Sequence, residues 1–171
     1  MKEFRKNLEI YFNEVKDLSN RPTHKYNYLI QDEKTGNNLI TNSYSFIRLN
    51  NNNEKDRKKL EIIKEYGINK SESVAKSIIN YHNTQTKNKY CNYFKNFLQI
   101  TEDEIIKDDN KKFVRINGID FDYNKIKHIV KLIGKDASIF TSQEEKHFIN
   151  ISGSNGYAFL LGCRSFKNGI R

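Results

Sequence analysis

Tryptophan is absent from this chain of 171 residues, proline and methionine occur once each, and cysteine twice. With one proline and no Gly/Ser tract, nothing reads as a flexible linker. Cys91 and Cys163 have no second Cys or His at ligand spacing, which argues against a zinc site, and a disulfide between them is not expected. No apolar run approaches the ~20 residues that a membrane-spanning helix needs. The opening stretch MKEFRKNLEIYF lacks the continuous apolar core of a secretory signal. The expectation is a cytoplasmic protein of a bacterial host cell, with no membrane partner.

Catalytic signatures are missing as well. The only glycine-rich turn, GSNG, is not followed by Lys-Ser/Thr and is no phosphate loop. His24, His82, His128 and His147 lie in four different segments without paired spacing. The acidic pairs Glu102/Glu104 and Asp108/Asp109 sit among lysines, where solvated surface is the default. Asp120 and Asp122 alternate and would share a strand face, which suits either a metal or a soluble strand end. No nucleophile elbow, zincin or kinase motif is present. The reading is a non-enzyme with no cofactor and no metal.

Positive charge is abundant. Lys and Arg number 30 against 21 Asp and Glu, for a net charge of +9 and a pI near 9.4. Such a balance favours anionic partners, nucleic acid first. Lys greatly outnumbers Arg, and the 23 asparagines accompany it. That is also the composition of an AT-rich genome, so composition alone accounts for part of the charge. Lysine suits phosphate contact better than bidentate base reading.

Hydrophobic spacing supplies the elements. Phe4, Leu8, Phe12, Val15 and Leu18 form one stripe of a helix over 2–18, stopped by Asn20, Arg21 and Pro22. Tyr26, Tyr28 and Ile30 alternate as a strand, Gly36 turns the chain, and Leu39–Leu49 completes a hairpin. Leu60, Ile63 and Tyr66 begin a helix that Gly67 ends. Asn69 and Glu72 cap a second, with Val74, Ile78 and Tyr81 on one face. Tyr90, Tyr93, Phe94 and Phe97 mark a third, and Thr101 with Glu104 a short fourth turn. Asn117-Gly118 between FVRI and IDF predicts a type I′ hairpin. Tyr123, Ile126, Val130 and Ile133 predict a helix closed by Gly134. ASIF, HFINI, the turn SGSNG and YAFLL follow as strands.

Helix-then-strand-pair therefore occurs twice, which predicts an α+β domain with helices on one face of an antiparallel sheet. The division expected is a domain from 1–53 and 109–171, interrupted by a helical insertion over 54–108. Lys2, Lys6 and Lys16 on the first helix, and Lys125, Lys127 and Lys131 on the last, lie opposite the apolar stripes. Lysines so placed make phosphate contacts without sequence information, although a solvated helix face has the same pattern. The aromatics of KYCNYFKNFLQI fit either base stacking or a core.

Three segments resemble the bacterial DNA polymerase sliding clamp family. The first helix leading into NRPTHKYNYLI is similar to the family's helix, Arg-Pro and first strand. NNLITNSYSFIRL resembles its following strand, and FDYNKIKHIVKLIGKDASIFTSQEEKHFINISGSNGYAFLLGCR its last helix and strands. The resemblance implies a clamp-like domain, of a phage or mobile element, with a partner pocket formed by Thr41, Ser43, Tyr44, Phe46, Leu160, Leu161 and Arg164. One such domain would close a ring only as a head-to-tail homo-oligomer.

Two functions follow. One is a non-enzymatic, clamp-like DNA-associated or scaffold protein that binds nucleic acid non-specifically through its basic helices. The other is a phage-encoded inhibitor, an anti-CRISPR or other anti-defence protein, that docks on a host protein or nucleoprotein complex.

Overall fold

The computed structural model describes residues 1–13, 28–32, 37–42, 45–65, 89–144 and 146–163. The described elements are α1 (Lys2–Phe12), β1 (Tyr28–Asp32), β2 (Asn37–Thr41), β3 (Ser45–Leu49), α2 (Glu54–Glu65), β4 (Asn92–Asn96), β5 (Ile105–Asp108), β6 (Lys111–Ile116), β7 (Ile119–Asp122), α3 (Tyr123–Ile133), β8 (Ser138–Thr141), β9 (Phe148–Gly153) and β10 (Gly156–Leu161). Short 3₁₀ turns cover Phe97–Gln99 and Glu102–Glu104. The architecture is α+β with two antiparallel sheets. The larger has seven strands in the order β1-β2-β3-β10-β9-β8-β4, the smaller three in the order β5-β6-β7.

The larger sheet shows the twofold repeat expected from sequence. α1-β1-β2-β3 and α3-β8-β9-β10 each form a helix followed by a three-stranded antiparallel meander. The two meanders join where β3 and β10 pair antiparallel, with Phe46 opposite Phe159 and Ile47 opposite Ala158. Strand order thus runs 1-2-3 inward from one side and 8-9-10 inward from the other, meeting at a pseudo-twofold between β3 and β10. α1 and α3 pack on each other, and α3 lies on β9 and β10.

Helix ends confirm the equivalence. The α1 carbonyl of Tyr11 accepts from the Asn42 side chain, where the chain leaves β2. The α3 carbonyl of Ile133 accepts from the Asn155 amide in the β9–β10 turn. Each helix therefore ends against the second turn of its own meander. A Cβ added to Gly153 would stand 2.5 Å from the Ile133 carbonyl oxygen, and one added to Gly156 would stand 2.2 Å from that of Arg48. Glycine at both positions lets the last hairpin lie against α3 and β3, which is why turn chemistry precedes the apolar strand YAFLL.

The core is continuous. Phe4, Leu8, Tyr11, Ile47, Ile126, Ile129, Ile133, Ile139, Ile151 and Ala158 belong to one buried cluster. Val114, Ile116 and Phe121 of the small sheet and Leu60 and Ile63 of α2 join it. β10 is buried on both faces, as its near-continuous apolar run requires.

Four expectations need correction. Leu39–Leu49 is two strands, because Asn42 breaks the run: its Oδ1 accepts from the Ser45 amide and closes a turn. Helix α2 starts at Glu54, before the apolar positions, because Asn53 Oδ1 caps the Asp56 amide at 2.9 Å and Asp56 accepts from the Asn52 amide. Tyr93 and Phe94 lie on a strand and Phe97 in a 3₁₀ turn. β4 pairs with β8 through a bulge between Tyr93 and Lys95, although its aromatics stand three and four apart as on a helix. The stretch 54–108 is consequently not a helical block among the described residues, and it contributes β4 to the large sheet and β5 to the small one. The hairpin at Asn117-Gly118, with φ of 52° and 80°, the helix ending at Gly134 and the strands after it match expectation. The parts of the reading that fall on 14–27, 33–36, 43–44, 66–88 and 164–171 lie outside the described residues, including the helix extension past residue 13 and the helix capped by Asn69.

Candidate nucleic-acid interface

Helix α3 carries the clearest charge asymmetry. Its sequence YNKIKHIVKLI has three lysines and no acid. Asp122 stands just outside and caps the Lys125 amide at 3.1 Å. Ile126, Ile129, Val130, Leu132 and Ile133 face inward. Lys127 and Lys131 are exposed one turn apart, and Lys135 is exposed just beyond the helix end. None of the three forms an ion pair among the described residues. Lys125 is half-buried beside Cys163 and is not part of the exposed row.

Helix α1 differs. Lys2 and Lys6 are exposed, but Glu3 and Glu9 share the outer surface. Arg5 is bound by Glu65 of α2, whose carboxyl the Arg5 hydrogen bond holds below its ordinary 4.5. Lys59 of α2 is buried with its ammonium 5.6 Å from the centre of the Phe4 ring, and burial lowers its pKa. Helix α2 therefore occupies one flank of α1. Lys16 lies outside the described residues.

The residues named for a partner pocket do not all meet. Thr41 pairs with Phe46, Phe46 with Phe159, and Leu161 lies two residues beyond Phe159, so Thr41, Phe46 and Leu161 share the sheet face away from the helices. Leu160 pairs with Ser45, whose hydroxyl meets Tyr11 of α1, and is buried in the helix-side core. Leu160 therefore cannot line the same surface as the other three. Ser43, Tyr44 and Arg164 lie outside the described residues. On the far face Tyr90 packs on Phe159, with ring centres 5.0 Å apart, and Tyr157 meets Phe159 edge-on.

Other candidate groups have structural partners. Asp120 binds Arg115 through two hydrogen bonds and Asp122 caps α3, which accounts for both carboxylates. Among the described residues no group of three or more His, Cys, Asp or Glu is placed to hold a metal. Both cysteines are unpaired thiols, and burial raises the pKa of Cys163. His128 lies half-buried on α3 and His147 is exposed before β9, while His24 and His82 lie outside the described residues. No described helix is long and apolar enough to cross a membrane.

Sequence reasoning missed two features here. Glu65 neutralises Arg5 across 60 residues of chain, which spacing within a helix does not reveal. Asn42, fully buried, links the β2–β3 connection to α1, a role that its place in a polar stretch, TNSYS, conceals. Compared with protein-family models, curated proteins and solved structures, the chain matches none.

Proposed function

We propose that this protein is a non-enzymatic, clamp-like nucleic-acid-associated protein that binds phosphate backbones through its basic helices. The observation that carries the reading is the acid-free α3, whose exposed Lys127 and Lys131 lie on a rigid helix backed by the core. Lysines there meet phosphates as point charges, so binding would be independent of sequence and steeply dependent on salt. The twin helix-and-meander units about a pseudo-twofold support the clamp-like comparison at the level of topology. The test is the affinity for unrelated duplexes over a range of salt concentrations.

One observation favours the second reading, an inhibitor that docks as a single copy on a host nucleoprotein. The edge of β8 is occupied by β4, which is short, bulged and carries Lys95, all features that discourage strand pairing with another chain. A ring that joins sheet edges would have to use this strand. Mass in solution separates the two: a ring needs several copies, an inhibitor of this kind one.

A further inference from the structure

We infer that Asn117 is a site of spontaneous deamidation in the folded protein, and that the same dipeptide at Asn155-Gly156 is protected by the packing of the last hairpin. The inference stands apart from the proposed function.

Asparagine is a thermolabile residue, and its deamidation is intramolecular. The backbone amide of the following residue gives up its proton to water, and its nitrogen attacks the asparagine Cγ. An N–Cγ bond forms, the Cγ–Nδ2 bond breaks, and the side-chain amide leaves as ammonia. The succinimide so formed takes up one water. Opening at Cγ gives aspartate, and opening at the backbone carbonyl gives isoaspartate. Water is the only co-reactant. Two conditions govern the rate. The attacking nitrogen must be unhindered, and the peptide that joins the two residues must be free to swing toward Cγ. A following glycine meets the first condition, because it has no Cβ.

The chain has three such pairs, Asn117-Gly118, Asn155-Gly156 and Asn168-Gly169, of which the last lies outside the described residues. The other two both stand at hairpin turns and differ in the second condition. Asn117 and Gly118 are the exposed two-residue turn between β6 and β7, with φ of 52° and 80°. A Cβ built on Gly118 would meet nothing within 4 Å. Among the described residues, the Asn117 side chain, the Asn117 carbonyl and the Gly118 amide have no hydrogen-bond partner. The joining peptide can therefore turn without breaking a contact.

At the other pair the peptide is pinned. The Asn155 amide donates to the Ile133 carbonyl at 2.8 Å, and the Asn155 carbonyl accepts from the Asn50 amide at 3.0 Å. Gly156 is buried in β10, opposite Leu49 on one side and Gly153 on the other. A Cβ there would stand 2.2 Å from the Arg48 carbonyl oxygen, so the backbone has no room to rotate.

Each event at Asn117 replaces a neutral amide by a carboxylate and lowers the net charge by one. The isoaspartate route also adds a methylene to the backbone of a two-residue turn. The pair that closes this turn is Ile116 and Ile119, and Ile116 is buried in the core.

The test incubates the full chain at mildly alkaline pH, folded and, in parallel, unfolded in urea, until the unfolded sample has reacted at both Asn117 and Asn155. Peptide mass mapping locates each gain of one mass unit, and enzymatic methylation of isoaspartate counts that product. In the folded protein Asn117 is expected to be converted while Asn155 stays intact. Gly118→Ala puts a methyl beside the attacking nitrogen and should slow the conversion several-fold, with a melting transition showing that the variant is folded. An intact Asn117 in the folded sample, equal conversion of Asn117 and Asn155 in it, or an unchanged rate in Gly118→Ala would overturn the inference.

Discussion

Asn42 donates its side-chain amide to the carbonyl of Tyr11 at 3.2 Å, and its side-chain oxygen accepts from the Ser45 amide at 3.2 Å. One buried side chain thus joins the first helix to the turn between β2 and β3, and the Tyr11 hydroxyl closes the link on Ser45 Oγ at 2.8 Å. Asn42→Ala removes a buried side chain that hydrogen-bonds both the Tyr11 carbonyl and the Ser45 amide. A loss of about 2–3 kcal/mol is expected, seen as a lower urea midpoint with an unchanged m-value. A midpoint equal to the parent's would show that the linkage contributes nothing.

Two glycines should respond differently to alanine. In Gly153→Ala the new methyl meets the Ile133 carbonyl at 2.5 Å, so α3 and the last hairpin must part. About 1–3 kcal/mol is expected for such overpacking. In Gly118→Ala nothing lies within 4 Å, and only the φ of 80° opposes the substitution, at about 1 kcal/mol. Thermal melting of the two variants should rank Gly153→Ala as the less stable; the reverse order would contradict the close packing of α3 on the β9–β10 turn.

Strand β10 is the middle strand of the seven, hydrogen-bonded to β3 on one side and β9 on the other. Deleting residues 157–171 removes buried Ala158, Phe159 and Leu160 and splits the sheet at its centre, leaving β3 and β9 each with an open edge. The truncated chain is expected to lose its cooperative thermal transition. A transition like the parent's would place the strand outside the core.

Lys95 hydrogen-bonds Glu104 and lowers its carboxyl below the ordinary 4.5, as Arg5 does for Glu65. A carboxyl lowered on folding contributes stability that is complete above its unfolded pKa and is lost as pH falls through the folded one. The stability of the parent should therefore fall with acidification below about pH 4.5, and Glu104→Gln should make that limb shallower. Both carboxyls are exposed enough that the change at neutral pH should be small. Identical acid limbs in parent and variant would remove Glu104 from the account.

Local chemistry made much of this fold legible from sequence. Asn117-Gly118 has few conformations available other than the turn it forms, and the Tyr123-to-Ile133 stripe ends at a glycine as such helices do. The β4 segment reads as a helix because Tyr90, Tyr93, Phe94 and Phe97 stand three and four apart, and only its non-local pairing with β8 decides for strand. The lysine row of α3 was visible because it lies within one helix. The balance of charge on α1 was not, since Glu65 reaches Arg5 from a different element. The division of the pocket residues between two sheet faces follows from the register of β3 against β10, a non-local pairing that spacing within either strand does not encode.

The central claim is sequence-independent phosphate binding through Lys127 and Lys131. Its most direct test is the affinity of the parent and of K127E/K131E for two duplexes of unrelated sequence, from about 50 to 200 mM salt. The account predicts equal affinity of the parent for both sequences, a linear fall of log affinity with log salt, and a slope smaller by about two contacts in the variant. No binding by the parent at the lowest salt, or parallel slopes for parent and variant, would contradict it.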